Sequence, residues 1–253
     1  MDLDQAAAGN EKDNQTASDE LERAFCSGVF GNADSKRLIE IGNELNKVRM
    51  YANQCKVDDV PSQTVVHLAL SAYFAGVSPP IRIESSLLIA KSLENEYAFA
   101  LSVRAYIEVA GRIHKGVRLW RNHQMGCCNM DQLSKNIGKL LARFHPKNAE
   151  RKGWFKGDGY NVMTLVQSLK DEISDIEDTY DDLSSYVHGG FEEQLFFRKQ
   201  AWLSHLKGES NPIIAKFEPL IIRIRQVTFT DFDALLEITK IFRDRYDNAH
   251  KLQ

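Results

Sequence analysis

Apolar residues recur at helical spacing along most of the chain, and the strongest repeat lies near its middle. Steps of four and three residues connect one series: Phe99, Val103, Tyr106, Ala110, Ile113, Val117 and Trp120. An α-helix places residues with this spacing on one face. The pattern predicts one long helix over Glu84–His123, with Gly111 and Gly116 as the positions where a kink is expected.

Other segments repeat the helical pattern over shorter stretches. A stripe over Val162–Val187 predicts a second helix, and the sequence His188-Gly189-Gly190 should end it, because glycine commonly follows the last helical turn. Further stripes predict a helix that Ser35 caps, another that Ser62 opens, and a last helix from about Asp231 toward the end of the chain.

One segment departs from the helical pattern. Leu220–Thr230 is rich in β-branched residues and partly alternating, which predicts a short β-hairpin near residues 216–230. Alternating strand–helix units and glycine-rich phosphate loops are absent from the sequence. The expected fold class is therefore mainly α, a helical bundle around the long Glu84–His123 helix.

Composition and charge suggest how the chain is divided. Residues 1–18 lack apolar periodicity and are expected to form a disordered acidic tail, because the first 20 residues carry six acids against one lysine. Residues 19–253 are expected to form a single helical domain with its core at about 84–191. No apolar run has the roughly 18 residues that a membrane span needs. The four cysteines are few and irregularly spaced, which favours a reducing, cytoplasmic compartment.

The small net charge of −3 conceals two oppositely charged segments. Arg104–Lys156 holds twelve Lys or Arg against three acids, whereas Asp171–Glu193 holds nine acids and no Lys or Arg. One interpretation is two solvated faces that pair with each other or with a second subunit. The other is that the basic segment binds RNA or a nucleotide, with Lys152 and Lys156 flanking two aromatic residues that can stack on bases.

Two groups of polar residues have spacings that suggest a site. Arg104 and Glu108 lie one helical turn apart at the border of the long apolar stripe, where an ordinary ion pair along the helix is the simplest interpretation. Tyr180, Ser184 and His188 follow each other at intervals of four, so they share one side of their helix, and His188 alone would be an ordinary end residue.

The strings SVRAYIEVAGRIHKGVRLW and YDDLSSYVHGGF, which begin at Ser102 and Tyr180, resemble a group of helical proteins related to the HEPN superfamily (higher eukaryotes and prokaryotes nucleotide-binding domains). That group carries an Arg-x3-Glu on a long helix and a Leu-Ser motif ending in His on a later one. The resemblance spans about Leu87–Phe191. It implies a helical bundle, a homodimer, and a metal-independent ribonuclease of the kind found in toxin or antiviral systems.

The HEPN ribonuclease motif is an Arg, a polar residue and, after four to six intervening positions, a His. Arg243, followed by Asp244, has this relation to His250, while Arg245 with His250 and Arg118 with His123 come near it. The resemblance therefore implies two alternative catalytic sets. These are Arg104, Glu108 and His188, or Arg243 and His250, and the residues assigned to substrate binding are Tyr180, Ser184, Arg118, Lys152 and Lys156.

The residues themselves support the chemistry that this motif would perform. Histidine titrates near neutral pH and can act as base or acid, and arginine binds phosphate through two parallel hydrogen bonds. A zinc site at His123, Cys127, Cys128 and His145 is not expected, because adjacent cysteines lack the usual ligand spacing, and no cofactor is expected.

Three functions remain open from the sequence: a ribonuclease or toxin module that acts on RNA, a non-catalytic HEPN-like module that dimerises or binds another protein, and an unrelated role of a helical protein. The first two share one geometric expectation. Packing the two apolar stripes together should bring Arg104, Glu108 and His188 side by side, although 80 positions separate Glu108 from His188 along the chain.

Overall fold

The computed structural model describes Lys36, Arg37, Glu40 and residues 78–144, 159–189 and 191–251. These residues form helices connected by turns and short irregular segments, with no strand among them. The helices of these ranges are α1 (Ser78–Ser92), α2 (Glu96–Gln124), α3 (Met130–Phe144), α4 (Val162–Gln167), α5 (Ile176–His188), α6 (Phe191–Leu206) and α7 (Pro212–Lys251). The mainly α fold class is confirmed. The acidic tail and the helices expected near Ser35 and Ser62 fall wholly or mostly outside the described residues.

The long helix predicted over Glu84–His123 is two helices, so its extent was wrong. Glu94 has a φ of 50°, in the left-handed region that ends a helix. Asn95 then caps α2, because its side chain accepts a hydrogen bond from the backbone N–H of Ala98 at 3.0 Å. The apolar series from Phe99 to Trp120 lies wholly in α2, and both helices bury one side in the same core.

The helix predicted over Val162–Val187 is also divided. Helix α4 ends at Gln167, and turns lead to the start of α5 at Ile176. The Ser168 hydroxyl lies at the break and donates hydrogen bonds to the carbonyls of Leu165, at 2.6 Å, and Gly111, at 2.9 Å. A serine that binds backbone carbonyls in this way satisfies groups that a continuing helix would use. The predicted end of the helix at His188 is confirmed.

The β-hairpin expected near residues 216–230 is not found, because these residues lie within α7. The last helix begins at Pro212 rather than Asp231, and the Asn211 side chain caps it by accepting from the backbone N–H of Ile213 at 3.0 Å. Burial explains the difference. The buried apolar residues of this stretch have helical spacing, and burial outweighs strand propensity: Ile213, Ile214, Phe217, Leu220, Ile221 and Ile224.

Helix α2 packs against α1, α3, α4, α5 and α7. Gly111 and Gly116 lie inside it, and Gly111 is where α4 approaches most closely: a Cβ built there would lie 2.4 Å from the Leu165 carbonyl oxygen. The two backbones are therefore in direct contact. This contact fixes the distance between α2 and α4, and with it the position of the polar side chains that α2 directs toward α4 and α5.

Buried charged residues join α7 to the helices around it. His114 of α2 and Asp231 of α7 are 3 % and 1 % exposed, and the His114 Nδ1 lies 2.9 Å from a carboxylate oxygen of Asp231. Arg225 of α7 binds both carboxylate oxygens of buried Glu84 of α1, at 2.8 and 2.7 Å. Within the described part of the chain, no helix combines the length and hydrophobicity of a transmembrane segment.

Candidate functional site

Arg104 of α2 lies at the centre of a polar group that α2 and α5 build together. Its Nη1 is 2.5 Å from the Nε2 of His188, the last residue of α5. Its Nε donates to the hydroxyl of Tyr180 at 3.1 Å, and its Cζ lies 5.2 Å from the centre of the Tyr180 ring. One guanidinium therefore connects two side chains that lie two turns apart on α5.

Glu108 completes the group from the next turn of α2. Its Oε1 accepts a hydrogen bond from the Tyr180 hydroxyl at 2.7 Å and lies 3.5 Å from the Arg104 Nε. The Tyr180 oxygen thus accepts from Arg104 and donates to Glu108. The ordinary ion pair between Arg104 and Glu108 is present, but a residue of another helix bridges it.

Burial differs within this group. Tyr180 is 4 % exposed, whereas His188 is exposed, and Arg104 and Glu108 are half-buried. Burial is the largest cause that raises the pKa of Tyr180, and its hydrogen bond to Glu108 raises it further. Tyr180 therefore stays a neutral hydrogen-bond donor inside the protein, while His188 faces solvent.

The contact with Arg104 involves one nitrogen of the His188 ring. A guanidinium has only donors, so the Nε2 of His188 takes part in this hydrogen bond as the acceptor. Tyr97 of α2 donates from its hydroxyl to the carbonyl of Val187 at 3.5 Å, which attaches the end of α5 to α2 just before His188.

Ser184 lies between Tyr180 and His188 on α5 but does not join the network. Its Oγ is buried and makes no hydrogen bond to any group in the described residues. The substrate-binding role that the resemblance implies for Ser184 stays a prediction.

The sequence analysis missed two residues of this neighbourhood, Tyr97 and Arg112. Arg112 lies one turn beyond Glu108 and is buried. Burial lowers its pKa to about 10, while the charge of Glu108 opposes that effect. The regular spacing of Arg104, Glu108 and Arg112 at intervals of four is visible in the sequence and would have identified Arg112 as part of the same face.

Arg118, expected to bind substrate, lies apart from this group. It is fourteen residues beyond Arg104, or about 21 Å along the helix axis. Its Nη1 contacts a carboxylate oxygen of Asp171 at 2.6 Å and donates to the carbonyl of Ser168 at 3.2 Å. Arg118 thereby holds the turn after α4 against α2.

The remaining predicted site residues are not placed by the structure. Arg243 and His250 lie in α7, but their side chains are outside the described part of the chain, and so are Lys152 and Lys156. His123 contacts the carbonyl of Cys128 through Nδ1 at 2.9 Å. Among the described residues, no three His, Cys, Asp or Glu side chains are grouped as a metal site requires.

Two acidic residues of the α5 region pair with basic residues of α7. Arg223 binds the carboxylate of Asp175 through both terminal nitrogens, at 2.9 and 3.2 Å. Lys216 lies 2.7 Å from Asp182. These pairs neutralise part of the acidic segment from α7, while Arg104 and Arg118 of the basic segment contact residues from 168 to 188.

Comparison of the chain with known proteins found no matching family model, curated protein or solved structure.

Proposed function

We propose that Arg104 and His188 form the centre of a metal-independent RNA-cleaving site in a HEPN-like helical protein, a bundle with α2 at its centre. The observation that supports this most is the direct contact between the Arg104 guanidinium and the exposed imidazole of His188. A neutral imidazole can accept a proton, and a guanidinium can bind phosphate oxygens. The site thus pairs a base with a fixed cation at the protein surface.

RNA cleavage at such a site follows from these two groups. When a phosphate draws the Arg104 Nη1 onto its own oxygens, the Nε2 of His188 becomes free and takes the proton of a ribose 2′-hydroxyl. The 2′-oxygen bonds to the adjacent phosphorus, and the bond from phosphorus to the 5′-oxygen breaks. Arg104 binds the phosphoryl oxygens as their negative charge grows. A cyclic 2′,3′-phosphate forms, and the 5′-oxygen leaves with a proton from the imidazolium of a second copy in a homodimer.

Tyr180 and Glu108 act in this proposal as positioning residues. Tyr180 is buried and accepts from the Arg104 Nε, so it holds the guanidinium without reaching the solvent side. Glu108 accepts from Tyr180 and fixes the orientation of its hydroxyl. Supporting contacts of this kind keep functional side chains in one geometry.

A non-catalytic module that binds another protein is the second candidate. The lone pair of His188 Nε2 is already occupied by Arg104, as in a contact that only joins two helices. In addition, Leu195, Trp202 and Leu206 lie on one side of α6, and Trp202 and Leu206 are 60 % and 61 % exposed. Large exposed apolar residues on one helix face are typical of a protein contact.

Incubation of the purified protein with end-labelled RNA in EDTA tests the proposal. We expect cleavage with cyclic-phosphate ends by the wild type, none by His188→Ala, and no cleavage of the matching DNA. His205→Ala is the matched control, because His205 is exposed and lies on α6 with Glu94 as its only seen partner. Equal cleavage by His188→Ala, or none by the wild type, would favour the binding module.

Thermal melting and sedimentation complete that test. His188 is exposed, so His188→Ala should keep the melting temperature of the wild type if its role is chemical. A drop in the melting temperature would indicate a structural role instead. A monomer at micromolar concentration would contradict the part of the mechanism that uses a second copy.

A further inference from the structure

Tyr160, which directly precedes the cap residue of α4, is approached by lysines from two helices. The Nζ of Lys115 on α2 lies 5.4 Å from the ring centre, and the Nζ of Lys139 on α3 lies 5.7 Å from it. The backbone N–H of Tyr160 donates to the Lys139 carbonyl at 3.4 Å, which fixes the ring beside α3. Three elements therefore meet at one aromatic ring.

The two ammonium groups lack a counter-charge among the described residues, where neither contacts a carboxylate. Burial, and next the positive charge of Arg118, lower the pKa of Lys115. Arg118 is itself paired with Asp171. Since both lysines are half-buried and point to one ring, their charges add at this place rather than spreading over the surface.

This cationic group is separate from the Arg104–His188 site. Lys115 is eleven residues beyond Arg104, about 16 Å along α2 and on the same side of the helix. Between them lies Gly111, where the Leu165 carbonyl contacts the α2 backbone and the Ser168 hydroxyl binds the Gly111 carbonyl. Helix α4 therefore stands between the two groups.

We propose that Lys115, Lys139 and Tyr160 form a binding site for the phosphate groups of a single-stranded nucleic acid. Two ammonium groups beside an aromatic ring are the combination with which proteins hold single strands. Because the lysines are half-buried, the phosphates must come to them, and a flexible strand does this more readily than a rigid duplex. The site adds substrate binding to the proposed function but does not depend on the chemistry of His188.

Fluorescence anisotropy with labelled oligo(dT) tests this site, since DNA lacks the 2′-hydroxyl and a failure of cleavage cannot affect the result. Lys115→Gln/Lys139→Gln removes two charges from the site. Lys199→Gln/Lys207→Gln, which removes two charges from exposed lysines on α6 and just after it, is the matched control. Titrations between about 50 and 200 mM salt give the salt dependence of the affinity.

Each phosphate contact to a single strand contributes about 0.7 to the slope of log affinity against log salt. The slope of the site variant should therefore be shallower than that of the wild type by about 1.4. Between about 50 and 200 mM salt, the loss of affinity of the variant should be about sevenfold smaller than the loss of the wild type. The control should keep the wild-type slope. Equal slopes for all three proteins, no binding by the wild type at low salt, or tighter binding of a duplex would each overturn the proposal.

Folding of the variants is checked by circular dichroism. If the double Gln variant does not fold, the single variants Lys115→Gln and Lys139→Gln replace it, each with an expected slope loss of about 0.7. Lys115→Arg/Lys139→Arg retains both charges and should keep the wild-type slope of log affinity against log salt. A shallower slope for this variant would also contradict the proposal.

Discussion

The hydroxyl of Tyr180 donates a hydrogen bond to the carboxylate of Glu108 at 2.7 Å, although 72 positions separate the two residues in the chain. This bond joins α5 to α2, and the Tyr180 oxygen at the same time accepts from Arg104. With the shared apolar core and the bond from Tyr97 to Val187, it is one of the contacts that hold α5 against α2.

Tyr180→Phe removes this hydroxyl and nothing else. We expect the free energy of unfolding in urea to fall by about 1–2 kcal/mol. The reason is that the variant loses two hydrogen bonds to charged groups, one with Arg104 and one with Glu108. Tyr97→Phe is the control, since Tyr97 is exposed and its hydrogen bond to Val187 is 3.5 Å long; it should change stability by less than about 0.5 kcal/mol. Equal effects of the two variants would show that the Tyr180 contact contributes little.

Stability should fall in alkaline solution because of buried tyrosines. Burial is the largest cause that raises the pKa of Tyr106, Tyr180 and Tyr186 above 10.0, in Tyr186 to about 12. The unfolded chain therefore releases these protons at a lower pH than the folded protein does. The stabilisation is complete below pH 10 and is lost as the pH rises toward 12 and beyond.

Urea unfolding at several pH values, with phenolate absorbance as a second signal, measures this effect. Tyr180→Phe should make the alkaline loss of stability less steep, because one of the titrating phenols is gone. Constant stability from pH 10 to pH 12 would contradict the prediction.

The buried pair His114 and Asp231 should be sensitive to loss of one member. His114→Leu leaves the Asp231 carboxylate, 1 % exposed, without its partner, and should lower the free energy of unfolding by about 3–5 kcal/mol. His114→Leu/Asp231→Leu should cost less than the single change, because no charge is left buried.

The exposed pair of Lys216 and Asp182 is the control for that experiment. Lys216→Gln should cost less than about 1 kcal/mol, since solvent replaces the lost contact. A cost for His114→Leu as small as that for Lys216→Gln would mean that the buried pair does not hold α2 to α7.

Gly111 and Gly116 lie in the same helix but should respond in opposite ways to alanine. At Gly111 the new Cβ would lie 2.4 Å from the Leu165 carbonyl oxygen, so the backbones must separate, and we expect a loss of about 1–3 kcal/mol. At Gly116 the nearest atom is the Leu140 Cδ1 at 3.7 Å, and the higher helix propensity of alanine should stabilise by about 0.5–1 kcal/mol. Thermal and urea unfolding of both variants measure these differences; stabilisation by Gly111→Ala would contradict the close contact.

The meeting of Arg104, Glu108, Tyr180 and His188 could be predicted because it depends on local spacing. Arg104 and Glu108 are four positions apart and Tyr180 and His188 are eight, so each pair lies on one side of its helix, beside an apolar face that is clear in the sequence. The catalytic role of these residues stays a prediction.

The breaks between helices could not be predicted in the same way. Nothing in the apolar repeat marks Glu94, whose left-handed backbone ends α1 without a glycine. The division at Ser168 depends on a carbonyl of Gly111 that lies 57 positions away, so it exists only once α4 has packed on α2. The β-branched stretch in α7 was wrongly predicted to be a β-hairpin for a related reason. Burial among neighbouring helices decides its conformation, and the sequence does not show that burial.

Helix α4 contacts the backbone at Gly111, between the Lys115–Lys139 group and Arg104. A nucleic-acid strand that binds at both places must therefore have a minimum length. Lys115 and Arg104 are about 16 Å apart along α2, so only a strand of several nucleotides can reach both. A strand must also arch over α4, so the nucleotides in that part remain open to solvent. Shorter oligonucleotides reach one group or the other. Chain length, rather than base sequence, therefore decides whether a single molecule is held at one end and presented to His188 at the other.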